Sequence, residues 1–207
     1  MKLGDKFEKR VRDGMEGEYE GYNTVIEGIE TMQRGIKYVI AGGTGTGKSQ
    51  FAVNYYGWEP LWDFMDNYRD DPDRVFHWFY FSLEMRETDV LLRLGAYLLF
   101  RKYNMIIPPK LMGSTGKERM DEQTLEDVIA KVKPALNEVD EYLTIIMYAS
   151  IGTIQYSVED FYRSHGTIQS QDGVPTYVTD KHITCIGMVD HGSLLEDEAI
   201  QNLCLLY

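Results

Sequence analysis

The stretch Gly42-Gly43-Thr44-Gly45-Thr46-Gly47-Lys48-Ser49 constrains this chain more than any other. It satisfies the P-loop pattern, in which a glycine and a Gly-Lys-Ser triplet are separated by four residues. Glycines let backbone N–H groups turn inward around phosphate oxygens without a side-chain clash. A helix that starts at Lys48 adds partial positive charge toward the same anion. Lys48 is then placed for the β- and γ-phosphates, and Ser49 offers its hydroxyl to Mg²⁺. Gly42, Gly43, Thr44, Gly45, Thr46, Gly47, Lys48, Ser49 and Gln50 are the candidate ATP-binding residues. The bland alternative is a glycine-rich turn with an incidental lysine. Its flanks argue against that, because a β-type run (36–41) precedes the glycines. A run with Phe51, Ala52, Tyr55 and Tyr56 at helical spacing follows them.

The rest of the chain alternates strand and helix patterns. Asn67 to Asp73 is polar and turn-rich. Val75 to Phe81 is continuously apolar or aromatic, as in a strand buried on both faces. A leucine-rich helix through Val90, Leu91, Leu94, Leu98 and Leu99 ends before Pro108-Pro109, and a polar stretch (113–120) follows. Asp121 caps an expected helix over 122–139 with Leu125, Val128, Ile129 and Val132 on one face. Leu143 to Met147 reads as a strand, Val158 to Arg163 as a short helix, and 169–178 as a hairpin turning at Asp172-Gly173. Ile183 to Val189 is a further strand that ends at Asp190, and a helix is expected to start near Glu196. These patterns predict an α/β fold with a largely parallel sheet flanked by helices. An N-terminal arm (1–20) precedes one domain (21–207).

Composition narrows the function classes. The formal net charge of the 207 residues is −12, which argues against a domain that coats nucleic acid through a global positive field. No apolar run reaches the roughly 18 residues of a membrane span, and the start MKLGDKFEKR lacks the apolar core of a signal peptide. Cys185 and Cys204 have no metal-ligand neighbour spacing, so a reducing, cytoplasmic setting is expected.

Two carboxylates complete the candidate site. Asp190 ends the apolar run Ile186-Gly187-Met188-Val189, as does an aspartate that holds Mg²⁺ through water. Residue 191 is His rather than Glu, which disfavours ATPases whose catalytic glutamate directly follows that aspartate, packaging motors among them. The water-activating carboxylate must then lie elsewhere. Glu84 follows the strand Val75 to Phe81, at the end where ligands of open α/β sheets bind. From position alone it is equally a helix-start glutamate that favours the dipole. His191 is a candidate phosphate sensor, or a strand-end histidine bonded to backbone. Tyr55, Tyr56, Trp58 and Trp62 read as core rather than as a stacking platform.

Three blocks carry a family resemblance. Tyr38 to Gly42 with Lys48 to Asn54, then Phe81-Ser82-Leu83-Glu84-Met85, then Leu91-Leu92-Arg93-Leu94 resemble the RecA-like motor domain of DnaB-type replicative DNA helicases. Val189-Asp190-His191 with Ser193-Leu194-Leu195 resembles that family's second nucleotide motif, in a variant associated with phage and viral members. The resemblance implies a RecA-like P-loop core and ATP hydrolysis with Mg²⁺. In it Lys48 and Glu84 are catalytic, and Ser49 and Asp190 are on the metal side. It further implies a homohexameric ring, single-stranded DNA as the track, and a primase or helicase loader as partner.

Family members continue past the aspartate with a strand ending in a polar sensor residue and, later, an arginine finger. This chain stops soon after Asp190, so a truncated motor domain with low turnover of its own is expected. Leu195-Glu196-Asp197-Glu198 holds no basic residue where the family contacts DNA, and Lys110, Lys117 and Arg119 are the remaining candidates. Two other readings stay open: a RecA-like recombinase or KaiC-like regulatory ATPase, and a non-hydrolysing nucleotide-binding assembly module.

Overall fold

A computed structural model describes residues 2–15, 32, 38–43, 45–83, 85–114, 117–171 and 174–190, with backbone alone at 171 and 174–176. The chain divides into two compact units, Met1–Asp70 and Asp71–Leu206.

The first unit opens with α1 (Leu3–Met15). Its ion pairs Lys9–Asp13 and Arg12–Glu8, both 2.7 Å, are four residues apart, the spacing that brings side chains together on a helix. After the glycine loop the chain is helical from Lys48 to Asn67, as the spacing of Phe51, Ala52, Tyr55 and Tyr56 predicts. It runs as α2 (Lys48–Ala52), a widened π-helical turn (Val53–Trp58) and α3 (Glu59–Asn67). Trp58 and Trp62 stack with ring centroids 5.9 Å apart and are buried, so this aromatic cluster is core in its tryptophans. Tyr55 and Tyr56 are half-buried.

The strand expected over 36–41 is not formed in its described part. Residues 38–43 have no regular secondary structure, and residues 36 and 37 lie outside the described set. Val39 is 77% exposed, whereas Tyr38 and Ile40 are half-buried and the Tyr38 ring stacks on Tyr56 with centroids 5.1 Å apart, so side-chain packing without ladder partners accounts for this run.

The second unit is built on a three-stranded, all-parallel sheet in the order β2-β1-β5. β1 (Arg74–Ser82) is central, and its last five residues, Trp78 to Ser82, are all buried. That matches its continuous run of apolar residues. β2 (Leu143–Met147) and β5 (His182–Asp190) pair with it on either side. The connections carry α4 (Glu87–Tyr103), α5 (Pro109–Met112) and α6 (Glu122–Val139) between β1 and β2. Between β2 and β5 lie α7 (Ile151–His165) and a hairpin of β3 (Thr167–Gln171) and β4 (Val174–Val178). The Asp172-Gly173 turn of that hairpin lies outside the described residues.

Caps set two helix starts. Asp121 accepts from Thr124 N–H at 2.8 Å and from the Thr124 hydroxyl at 2.7 Å, satisfying an orphan donor of α6. Ser150 accepts from Thr153 N–H at 3.1 Å, and α7 starts there, well before the expected short helix over 158–163. The buried face of α6 also differs from expectation. Leu125 and Ile129 are exposed, while Val128, Ala135 and Val139 are buried. The neighbour decides this: α6 packs on α4, where Gly95 leaves room for Val132, whose Cγ1 would lie 3.2 Å from any added Cβ. One face of the sheet packs on α7 through Phe79, Phe81, Ala149 and Ile154, with Phe161 and Val189 against them. Asn104, in the left-handed conformation, ends α4 before the prolines.

Candidate site: the glycine loop and the carboxyl edge of the sheet

The glycine loop lies in the first unit. Gly45 (φ 77°) and Gly47 (φ 82°) are left-handed, the region where a side chain is strained. A Cβ on Gly42 would meet Thr46 Oγ1 at 3.0 Å. Gly43 O gathers the loop: the Thr46 hydroxyl donates to it at 2.8 Å and the Lys48 ammonium at 2.7 Å. The lysine is thereby folded back over the loop. Gly47 starts the helix without a side-chain cap, and Phe51 N–H donates to Gly47 O at 2.8 Å. The N–H groups of Lys48, Ser49 and Gln50 precede the first intrahelical donor, so this end is a ready anion site. The Gln50 side chain donates to Asn54 Oδ1 at 2.9 Å, and so serves the helix itself in this conformation. Ser49 is half-buried. Thr44 lies outside the described residues.

The two carboxylate candidates belong to the second unit. In the parallel register Ser82 stands beside Met147 on one side and Asp190 on the other, so three strand ends share the carboxyl edge of the sheet. Ligands of open parallel sheets bind outside that edge. Asp190 is half-buried, and its Oδ2 accepts from the Tyr80 hydroxyl at 2.9 Å. Burial, and then the Asp190 charge and hydrogen bond, push the Tyr80 phenol well above its ordinary range, while the Arg93 charge pulls the other way. Tyr80 therefore remains a donor at any working pH.

Glu84 and His191 lie outside the described residues. The buried Ser82 hydroxyl donates to Met85 O at 3.0 Å and accepts from Met85 N–H at 3.1 Å. Tyr148 N–H donates to Ser82 O at 2.8 Å, tying the end of β2 to the same point.

Among the described residues, no group of three or more His, Cys, Asp or Glu is placed to hold a metal ion. Mg²⁺ bound with a nucleotide keeps several waters and takes one or two protein ligands besides phosphate oxygens. Ser49 in the first unit and Asp190 in the second are each, taken separately, an oxygen donor of a type that magnesium accepts. His77 Nε2 lies 2.9 Å from Thr144 Oγ1 across the β1–β2 pair, and burial lowers its pKa. Of the basic candidates for DNA, Arg119 donates to Glu118 O, and Lys110 sits on α5.

Sequence reading does not reveal the Tyr80–Asp190 or Ser82–Met85 contacts. In the sequence Tyr80 is one aromatic in an apolar strand. The first contact becomes visible only when the parallel register puts Tyr80 opposite Met188, two residues before Asp190 on the same face.

Comparison with known proteins gives no match to a protein-family model, to a curated protein or to a solved structure. No helix among the described residues is long and apolar enough to cross a membrane.

Proposed function

We propose that this chain is the ATP-binding and ATP-hydrolysing motor domain of a DnaB-like replicative DNA helicase, with a RecA-like P-loop core. The observation that carries the reading is the glycine loop, with left-handed Gly45 and Gly47, the Lys48 ammonium at its rim and an uncapped helix start behind it. In this reading the loop N–H groups and Lys48 hold the β- and γ-phosphates. Ser49 and Asp190 hold the metal side, Asp190 through water. Glu84 takes a proton from the attacking water, and His191 reports on the γ-phosphate. Magnesium, when bound, supplies charge neutralisation on the β- and γ-oxygens.

The Phe81-Ser82-Leu83-Glu84-Met85 block supports the helicase reading over other nucleotide-binding classes. Its Phe81 and Ser82 end the central strand, and in this reading the glutamate that follows in sequence activates the water. A homohexameric ring on single-stranded DNA, loaded with the help of a primase or loader, belongs to the same proposal. So does a cytoplasmic setting.

Titration calorimetry with ATP and Mg²⁺ tests the phosphate site. Lys48→Ala is expected to weaken binding by about ten- to a hundredfold, since charge-assisted hydrogen bonds contribute roughly 1.5–3 kcal/mol. Equal affinity in the variant would remove the P-loop assignment.

A further inference from the structure

We infer that Tyr80 is a positioning residue, whose phenol holds the Asp190 carboxylate in the orientation that receives a magnesium-bound water. The inference rests on the proposed reading of Asp190 as the metal-side carboxylate.

Packing alone does not call for a hydroxyl at this position. Tyr80 is 1% exposed in a strand whose neighbours Phe76, Phe79 and Phe81 fill their space with plain phenyl rings. A phenylalanine would occupy nearly the same volume without carrying a polar atom into the core. A buried hydroxyl is costly unless it finds an acceptor, and the acceptor here is Asp190 Oδ2 at 2.9 Å.

The backbone explains how the two meet. Tyr80 pairs with Met188 and Ser82 with Asp190, so the tyrosine and the aspartate lie on one face, two residues apart along parallel strands. The ring itself cannot wander. It meets the Trp78 ring edge-on, with centroids 6.2 Å apart and planes at 79°. A rigid donor therefore bonds one oxygen of a carboxylate that sits at a strand end and is only half-buried. Such a bond restricts rotation of the carboxylate and selects which lone pairs face the open edge of the sheet. Arg93, on α4, adds a cationic field at the same hydroxyl. Partners of this kind orient metal-side ligands in general, and their loss costs metal affinity rather than the fold.

The test uses a fluorescent ATP analogue titrated against the full chain, once in EDTA and once with rising Mg²⁺. Tyr80→Phe keeps the ring and removes the hydroxyl. Tyr80→Met is a second variant, smaller and without a hydroxyl, and melting curves by circular dichroism show which variants are folded. In a folded variant the Mg²⁺ concentration that gives the half-maximal effect on nucleotide binding is expected to rise by about ten- to a hundredfold. Binding in EDTA should stay within about twofold of wild type, because the loop and Lys48 are untouched.

A wild-type Mg²⁺ midpoint in a folded variant would overturn the inference and leave the proposed function standing. An equal loss in EDTA and in Mg²⁺ would also overturn it, by showing a merely structural role. If the wild-type chain binds no nucleotide, the proposed function fails and this inference fails with it.

Discussion

Glu84→Ala is expected to reduce ATP turnover by about 10²- to 10⁴-fold, the usual contribution of a positioned general base. ATP affinity should change by less than about twofold, because Glu84 is assigned to the attacking water and not to a phosphate. The expectation follows from the proposed role of Glu84, which follows β1 in the sequence. β1 ends at Ser82, whose hydroxyl closes a turn onto Met85 with bonds of 3.0 and 3.1 Å. Tyr148 N–H fixes Ser82 O from the adjoining strand end. A base must be held within hydrogen-bond reach of its proton, and the described residues Ser82 and Met85 are bonded to each other in this stretch. The competing reading, a glutamate that only favours the α4 helix dipole, makes a different forecast. Dipole effects contribute about 0.3–1 kcal/mol to stability and leave the chemical step alone. Steady-state turnover at saturating ATP, with affinity measured separately, distinguishes the two. Turnover within a few-fold of wild type would assign Glu84 to the dipole.

Phe81→Ala is expected to destabilise the second unit by about 3–5 kcal/mol. Phe81 is fully buried, stacks on Phe79 with centroids 5.8 Å apart, and belongs to the core that joins the sheet to α7. Removal of the ring loses its transfer free energy and leaves a cavity. The site cannot easily collapse, because Phe81 sits on the central strand between two parallel neighbours. Since whole domains are stable by only about 5–15 kcal/mol, this single change removes a large share. Urea unfolding followed by far-ultraviolet circular dichroism measures it. A loss below about 1 kcal/mol would mean that the α7 face of the sheet is not a packed core.

Both predictions lean on strands that were plain in the sequence. β1, β2 and β5 announce themselves as apolar runs bounded by turn residues, and α6 by its Asp121 cap. Local chemistry sufficed there. It failed wherever a distant partner decides. The run over 36–41 has the composition of a strand, yet residues 38–43 form none. The apolar residues of α6 allow two overlapping stripes, and packing on α4 at Gly95 chose the one through Val128, Ala135 and Val139. The first turns of α7 have only Ile154 fully buried, so the periodicity there is faint.

The candidate site divides the same way. The glycine loop was legible because its backbone demands glycine locally, at Gly45 and Gly47. Asp190 was legible as the polar end of an apolar strand. The Tyr80 contact was not, because it exists only through the β1–β5 register, between residues 110 apart in sequence.

The central claim is that this chain hydrolyses ATP in a way coupled to single-stranded DNA. The most direct measurement is ATP turnover with and without a single-stranded oligonucleotide, with Lys48→Ala as the background. We expect turnover above that background, slow in the chain alone and faster with the oligonucleotide. Turnover indistinguishable from Lys48→Ala in both conditions would contradict the claim.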